Sequence, residues 1–296
     1  MRSDETALER AIRYGRKASL FARLKRNLVS TGIHWLRSDG DVGPVSETDF
    51  ERVLGRYSDD PSVFVHAGLG DVKAAFDRNP YEFLRESLET HFENVFVPGF
   101  TPSFRRVDGR VYHKRYTSPY FGSFSRQFLA DCDYRTNDAT NSILVSGDRR
   151  FEECDHHDTW GENGCFAALD RENTLYLHVG TNVFRPSQIH YVEARADVPY
   201  VDPVEYEGVI YYDDTTVERI TQRTDDETAM VENRAGVPIP IPSMMWNFRK
   251  LRDDLENADV LDAYDLDGLT VWAFHARELR RFLERRLADD LYYIVT

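Results

Sequence analysis

Residues 174–200 read TLYLHVGTNVFRPSQIHYVEARADVPY, and this stretch is the most informative part of the sequence. Its apolar start predicts a buried strand, a Gly-containing turn follows, and a helix begins after Ser187 as N-cap. His190 and Glu193 stand three positions apart, so a helix places both side chains on one face. A first-turn His190 lies near the positive end of the helix dipole, which favours the neutral imidazole. The pattern predicts a general base held by a carboxylate; the alternative is an ordinary surface pair.

Strand-like and helix-like segments alternate along the rest of the chain. Short β-branched or aromatic runs predict buried strands at 63–66, 95–97, 143–145 and 175–179. Asn79, followed by Pro80 and Glu82, has the pattern of a helix N-terminus, and spaced apolar residues after 276 predict a closing helix. Residues 217–237 are polar and threonine-rich with no period, and 237–242 is expected to form an extended surface strap. The alternation predicts an α/β layered architecture.

Five short segments, in the right order, resemble the aminoglycoside 3-N-acetyltransferase family. The segment HYVEARADVPY at 190–200 is similar to the family's His-Tyr-Ala-Glu…Ala-Asp-Ile-Pro, and VHAGL at 65–69 is similar to Val-His-Ala-Ser-Leu. The others are VPGFT at 97–101, SP with GSF within 118–124, and SILVSG at 142–147. The resemblance covers about residues 62–212 and, more faintly, the last helix. It implies a three-layer α/β/α sandwich around a mixed central sheet.

The resemblance implies a CoA-dependent N-acetyltransferase that moves an acetyl group from acetyl-CoA to an amine of an aminoglycoside or other amino-sugar. His190 is then the base, and Glu193 orients it or attracts the cationic amine. His66 is expected to be a structural hydrogen-bonder at a strand end. The glycine turn at 68–70 follows a strand, and open α/β sheets usually bind ligands at that edge. Glycine lets the backbone N–H groups of such a turn approach the acyl oxygen closely. The residues expected to bind the CoA pantetheine and acyl carbonyl are Ala67, Gly68, Leu69, Gly70, Thr101 and Ser142.

The acceptor side is expected to be acidic, because an amino-sugar is a cation, and Trp160 could stack on an apolar sugar face. Asp138 and Ala139 stand where the family usually carries His-Pro or Asn-Pro, and WGENGCF at 160–166 replaces Gly-x-Gly-Ser-Pro. These departures put an antibiotic acceptor in question and leave a catalytically silent carbohydrate-binding relative as an alternative. The residues expected to bind the acceptor are Asp138, Asp155, Asp158, Trp160 and Glu162.

A metal-dependent hydrolase is the competing prediction. The segment EECDHHD at 152–158 carries His156 and His157, which together with His190 could ligate zinc or another divalent ion. A metal site needs ligands that converge in space, and a loop this short rarely supplies four. We therefore expect no metal and acetyl-CoA as co-substrate.

Charge and cysteine usage set broad limits. The net charge is −14, with five Lys against 32 Arg, which is typical of a salt-adapted protein and argues against nucleic-acid binding. No apolar run approaches 18 residues and no signal peptide is evident, so we expect a cytoplasmic protein. Three cysteines without CxxC spacing favour free thiols in a reducing compartment. A monomer or a homodimer is expected.

The N-terminal segment has the opposite charge. Residues 1–37 carry a net charge of +6, and Leu20, Phe21, Leu24 and Leu28 recur at helical spacing. A basic amphipathic helix can lie on an anionic membrane. We expect this one instead to pack on the protein's own acidic surface. We therefore divide the chain into a basic helical extension at 1–46 and a single acyltransferase domain at 47–296.

Overall fold

The computed structural model describes residues 42–106, 110–196, 198–226, 230–232, 238–240, 247–289 and 291–293. The predicted basic helix near residues 20–28 lies outside the described residues. So does half of the predicted strap at 237–242, whose central residues form a short strand. Within the described ranges no helix is both long and apolar enough to cross a membrane.

Helices and strands alternate through the first two thirds of the described chain. The helices are α1 Glu47–Leu54, α2 Leu69–Ala75, α3 Pro80–His91, α4 Ser103–Arg106, α5 Ser123–Asp131, α6 Cys165–Glu172, α7 Gln188–Arg195, α8 Phe248–Asn257 and α9 Ala276–Ala288. The strands are β1 Ser62–Ala67, β2 Asn94–Pro98, β3 Val111–His113, β4 Tyr134–Arg135, β5 Ile143–Ser146, β6 Leu175–Val179, β7 Asp202–Tyr211, β8 Val217–Asp226, β9 Met230–Glu232, β10 Pro238–Pro240, β11 Asp262–Leu266 and β12 Leu269–His275.

The predicted helix start at Asn79 is confirmed. Its side-chain oxygen accepts hydrogen bonds from the backbone N–H groups of Tyr81 at 3.0 Å and Glu82 at 3.4 Å. Pro80 occupies the first helical position, where its missing N–H costs nothing. The strands predicted at 63–66, 95–97, 143–145 and 175–179 are β1, β2, β5 and β6, and the closing helix is α9.

A seven-stranded sheet forms the centre, in the order β11-β12-β6-β1-β2-β5-β4. Its three middle strands, β6, β1 and β2, run parallel, and the strands on both sides of them run antiparallel. The sheet is therefore mixed, as predicted. Because β6, β1 and β2 end at the same edge, the loops that follow them are brought together there.

Side chains alternate between the two faces of this sheet, and each face is covered by helices. Phe64 and Tyr176 face one layer, which contains α6, α7, α8 and α9. Val63, Val65 and Leu177 face the other layer, which contains α1, α2, α3 and α5. The predicted three-layer α/β/α sandwich is thereby confirmed. Mostly apolar strands suit a sheet that is buried on both sides.

A second sheet, β3-β7-β8, was missed by the prediction that residues 217–237 lack periodic structure. Strand β8 pairs with β7 along its whole length. Ile220, Gln222 and Thr224 alternate inward and are buried, while the residues between them are exposed. Two of those three inward side chains are polar, so an apolar period of two is absent from the sequence. The sheet covers the loop around residues 138–142.

Candidate active site

His190 lies where the carboxyl ends of β6 and β1 meet the start of α7. It is the third residue of that helix, in the predicted first turn. Its Nδ1 lies 3.9 Å from Oε2 of Glu193. The His190 side chain is 21% exposed, whereas that of Glu193 is 2% exposed. The predicted pair is therefore formed, with the imidazole reaching the surface and the carboxylate behind it.

Glu193 is anchored from its far side by a residue that the sequence did not single out. The Tyr200 hydroxyl donates a hydrogen bond of 2.6 Å to Oε1 of Glu193. Burial, together with the neighbouring carboxylate, raises the pKa of Tyr200, so the phenol keeps its proton and remains a donor. Tyr200, Glu193 and His190 thus form a chain of polar contacts that ends at the surface.

Aromatic side chains form a wall beside His190. The ring centroid of Trp160 lies 5.8 Å from that of His190 and 4.6 Å from that of Phe166. Phe166 in turn lies 6.2 Å from Phe100, which contacts Phe121 at 6.4 Å. Phe121 is 45% exposed, whereas Trp160 is buried. Trp160 is therefore a packed wall residue that touches the proposed base.

Ser187 precedes α7 as predicted, but its hydroxyl makes no hydrogen bond to the helix backbone. It is hydrogen-bonded instead to Nε2 of His66 at 2.8 Å. The His66 ring stacks on that of His178 at 4.5 Å. Burial lowers the pKa of His66 to about 3, and the charge of Arg185 adds to this effect. His66 is neutral at pH 7 and ties the end of β1 to the start of α7.

The predicted CoA loop needs glycine for a different reason than expected. A Cβ atom at Gly68 would lie 2.0 Å from the carbonyl oxygen of Gly180, so glycine is required here by the close approach of two backbone segments. The Gly68 N–H donates to the Val179 carbonyl at 2.9 Å. Gly70, by contrast, is exposed and has open space around it. Leu69 is buried in the core.

The hydroxyls of Thr101 and Ser142, which were predicted to contact the acyl group, are bonded to backbone carbonyls inside the protein. Both residues are fully buried. Thr101 Oγ1 donates to the Ala139 carbonyl at 2.6 Å, and Ser142 Oγ donates to the Gly99 carbonyl at 2.8 Å. The sequence could not show this, because both acceptors are backbone groups brought close by the packing of loops.

Arg135 is a buried structural residue that the sequence did not reveal. Its Nε donates to Ser142 Oγ at 2.9 Å, and its Nη2 donates to the Gly99 carbonyl at 2.8 Å. Its Nη1 donates to the carbonyls of Lys114 at 3.0 Å and Thr117 at 2.6 Å. One guanidinium thus holds three chain segments at the carboxyl edge of the sheet.

Asp138 is likewise internal, and the prediction that it binds the acceptor is not supported. Its Oδ1 accepts hydrogen bonds from the Thr140 N–H, the Thr140 hydroxyl and the Asn141 N–H at 2.7–2.9 Å. Its Oδ2 accepts from the Thr159 hydroxyl at 2.5 Å. A buried carboxylate with four donors organises its own loop and has little capacity for a cationic substrate.

The other predicted acceptor residues lie on the loop before α6. Asp155 Oδ1 accepts from the His157 N–H at 2.9 Å, and Asp158 is half-buried, which raises its pKa. Glu162 is exposed and forms a 2.6 Å ion pair with Arg195 at the end of α7. Glu162 is therefore close to the helix that carries the proposed base, although its charge already has an internal partner.

The alternative metal site is not assembled. His156 Nδ1 accepts from the Asn137 N–H at 3.2 Å and contacts Cys165 Sγ at 3.5 Å. Among the described residues, no group of three or more His, Cys, Asp or Glu side chains is arranged to hold a metal ion. The ring next to that of His190 is instead that of Trp160.

Similarity to known proteins agrees with this geometry. The profile of the family described as aminoglycoside 3-N-acetyltransferase matches residues 80–288. AAC-VIa bound to sisomicin is 16% identical with a TM-score of 0.65, over 83% of this chain and 98% of that chain. Aminoglycoside acetyltransferase AAC(3)-IIb is 15% identical with a TM-score of 0.62, over 85% and 99%. The YokD protein from Bacillus subtilis is 13% identical with a TM-score of 0.61, over 83% and 100%. None of the curated protein sequences matches.

Proposed function

The chain belongs to the aminoglycoside 3-N-acetyltransferase family, and we propose that His190 is the general base of its acetyl transfer. The protein is an acetyltransferase, and acetyl-CoA is its co-substrate. The matched region, residues 80–288, spans His190, Glu193 and Tyr200. The observation that carries the proposal is the contact chain from buried Tyr200 through buried Glu193 to the partly exposed imidazole.

The reaction requires one proton to leave the acceptor amine. The amine nitrogen attacks the thioester carbonyl carbon, the carbon–sulfur bond breaks, and an amide forms. Nδ1 of His190 faces Glu193, so the proton is taken up at Nε2. Glu193 stabilises the imidazolium that results and fixes the ring orientation, as a carboxylate does behind other catalytic histidines. The proton finally passes to the CoA sulfur.

For the donor side, we retain residues 67–70 as the segment that borders the CoA thioester. Ala67 ends β1 and directly follows His66, whose ring is hydrogen-bonded to the residue before α7. This bond brings the segment to the same sheet edge as His190. Backbone groups, rather than the buried hydroxyls of Thr101 and Ser142, are therefore the proposed partners of the thioester.

For the acceptor, an aminoglycoside or related amino-sugar is proposed to enter between the Trp160 loop and the first turn of α7. Asp155, Asp158 and Glu162 are the acids on that side, the exposed ring of Phe121 supplies aromatic surface, and buried Trp160 packs beside His190. One structural neighbour is described as bound to sisomicin, which is consistent with an acceptor of this class.

The test compares matched histidine variants in an assay of free-thiol release from acetyl-CoA with an amino-sugar panel. His190→Ala should lower kcat/KM by about 10²- to 10⁴-fold, the usual contribution of a general base. His156→Ala, which alters the competing metal candidate, should keep kcat/KM within about threefold, and EDTA should have no effect. Circular dichroism confirms that each variant is folded. Unchanged turnover in folded His190→Ala would overturn the proposal, and loss of activity in EDTA would favour the hydrolase alternative.

We also propose that the protein works in a reducing cytoplasm of high salt concentration. The acidic, Lys-poor composition supports a salt-adapted protein, and three free thiols support a reducing cytoplasm. Thermal unfolding in dilute buffer and in molar KCl tests the first point. A melting temperature that does not rise with KCl would contradict it.

A further inference from the structure

Lys114 lies in an unusual environment just after strand β3. Its side chain is half-buried, and Nζ lies 4.5 Å from the ring centroid of Tyr134. The guanidinium of Arg150 lies 5.7 Å from the centroid of the same ring. The ring surface can stabilise a cation, but here two cations share it.

The other charges around Lys114 are mostly positive. Buried Arg135 donates a hydrogen bond to the Lys114 carbonyl at 3.0 Å, and His156 is close enough for Lys114 to lower its pKa. The acidic groups nearby are the Cys132 thiol, whose own pKa is raised by burial, and Glu152, which acts on Tyr134. In the ranges that the structure describes, no carboxylate oxygen lies within 4.0 Å of Nζ of Lys114.

These surroundings disfavour the ammonium form. Burial, followed by the charge of Arg135, lowers the pKa of Lys114 to about 8. At pH 7.5 roughly a quarter of a group with that pKa is neutral, compared with about a thousandth of an ordinary lysine of pKa ~10.4. The neutral amine is the nucleophilic form.

We propose that Lys114 is a site of N-acetylation by the protein's own co-substrate, acetyl-CoA. The neutral Nζ attacks the thioester carbonyl carbon, an amide bond forms, and the carbon–sulfur bond breaks. The proton lost by the amine passes to the CoA sulfur, so the products are acetylated Lys114 and free CoA. The proposal rests on acetyl-CoA being the co-substrate and does not require His190.

The chain supplies its own control lysines. Nζ of Lys250 also lies over a ring, that of Tyr293 at 5.2 Å, but it is paired with Asp254 Oδ2 at 2.5 Å. Lys73 is exposed on α2. Comparing the acetylation rates of the three lysines therefore separates the effect of a neighbouring aromatic ring from the effect of lacking a carboxylate partner.

The experiment incubates the full chain with excess acetyl-CoA from pH 6.5 to 10 and quantifies acetylation of each lysine by peptide mass spectrometry. At pH 7.5 Lys114 should react about tenfold faster than Lys250 or Lys73, a figure reduced from the ~200-fold difference in neutral fraction because burial restricts access. Its rate should level off above about pH 8.5, whereas the other two rates keep rising. Equal rates, or a Lys114 rate that still rises to pH 10, would overturn the proposal.

Two variants separate this reaction from the main activity. Lys114→Arg should remove the modified peptide and leave acetylation of Lys73 and Lys250 unchanged. In His190→Ala, turnover of the amino-sugar should fall while Lys114 acetylation continues at the original rate. Loss of Lys114 acetylation in folded His190→Ala would overturn a direct reaction. If His190 is not the general base, His190→Ala will retain amino-sugar turnover. That outcome does not affect the measurement of Lys114 acetylation, so the two proposals are tested independently.

Discussion

Nε2 of His66 and Oγ of Ser187 lie 2.8 Å apart, and this hydrogen bond joins residues 121 positions apart in the chain. It connects the end of the central strand β1 to the residue before α7. Because His190 is in the first turn of α7, the location of the proposed base relative to the sheet depends on this contact. The stacking of His66 on buried His178 fixes the ring that makes it.

Loss of the Ser187 hydroxyl should therefore affect both stability and turnover. Ser187→Ala is expected to lower the free energy of unfolding by about 1–2 kcal/mol, since it leaves a partly buried imidazole nitrogen without its partner. It should also reduce kcat through misplacement of α7. Urea denaturation and thiol-release kinetics measure the two effects. Ser146→Ala is the control, because that hydroxyl binds Glu89 at an exposed site. Equal effects of both substitutions would contradict the assigned role.

The pKa of His66 predicts a specific pH dependence of stability. The folded pKa of about 3 lies below the ordinary value of 6.5, so between these values the unfolded chain binds a proton that the folded chain does not. Stability should accordingly fall as the pH drops from about 6.5 toward 3, with a slope of up to ~1.4 kcal/mol per pH unit. His66→Gln should flatten this slope relative to the original chain in urea titrations. A parallel slope in both proteins would count against a neutral buried His66.

Two neighbouring glycines should respond in opposite ways to alanine. Gly68→Ala places a Cβ atom 2.0 Å from the Gly180 carbonyl oxygen, so a backbone must move, and a loss of about 3 kcal/mol is expected. Gly70→Ala meets open space within a helix and should stabilise by about 0.5–1 kcal/mol. Thermal and urea unfolding provide the comparison. A Gly68→Ala variant as stable as the original would show that the two loops are not packed together.

Tyr200 should support catalysis through Glu193. Tyr200→Phe keeps the packed ring but removes the donor to a buried carboxylate, which should cost about 1.5–3 kcal/mol of stability. The pH dependence of kcat/KM should also shift, because an unanchored Glu193 changes the proton affinity of His190. Tyr212→Phe removes a similar bond, to Glu218 on an exposed hairpin, and should have little effect on either quantity. An unshifted pH profile in Tyr200→Phe would limit that residue to a structural role.

Arg135 should be among the most sensitive residues in the chain. Arg135→Met leaves the carbonyls of Lys114 and Thr117 without their buried donor and removes one of the two donors to the Gly99 carbonyl, and a loss of about 3–5 kcal/mol is expected. Arg223→Met, which breaks only an exposed pair with Glu205, should have a much smaller effect. Chemical denaturation of the two variants decides the matter. Similar losses would mean that the buried guanidinium contributes no more than a surface charge.

Local sequence patterns were sufficient for the central architecture. Apolar runs marked four of the seven strands of the main sheet, and the Asn79-Pro80 pair marked α3. The spacing of His190 and Glu193 on a helix correctly placed the two side chains near each other. These features depend on residues close together in the chain, so their physical causes can be read without knowing the fold.

Other predictions required knowledge of the packing. The antiparallel hairpin of β11 and β12 and the β7–β8 sheet were not predicted, the latter because its inward side chains include Gln222 and Thr224. Gly68 was correctly singled out, but its close neighbour is the Gly180 backbone. Asp138, Thr101 and Ser142 are polar residues whose partners are internal, and a one-dimensional pattern does not distinguish an internal hydrogen-bond partner from a ligand.

The alternation of strands and helices, the placement of His190 and Glu193 on one helical face, and the resemblance to an acetyltransferase family all follow from the amino-acid sequence alone. Three other features are visible only in the folded protein: His66 holds the start of α7, Tyr200 anchors Glu193, and Lys114 lies among cations. The difference arises from the distance along the chain over which each interaction acts. Helical periodicity and capping act over a few residues, whereas burial, charge environment and close backbone approach depend on segments that meet only after folding.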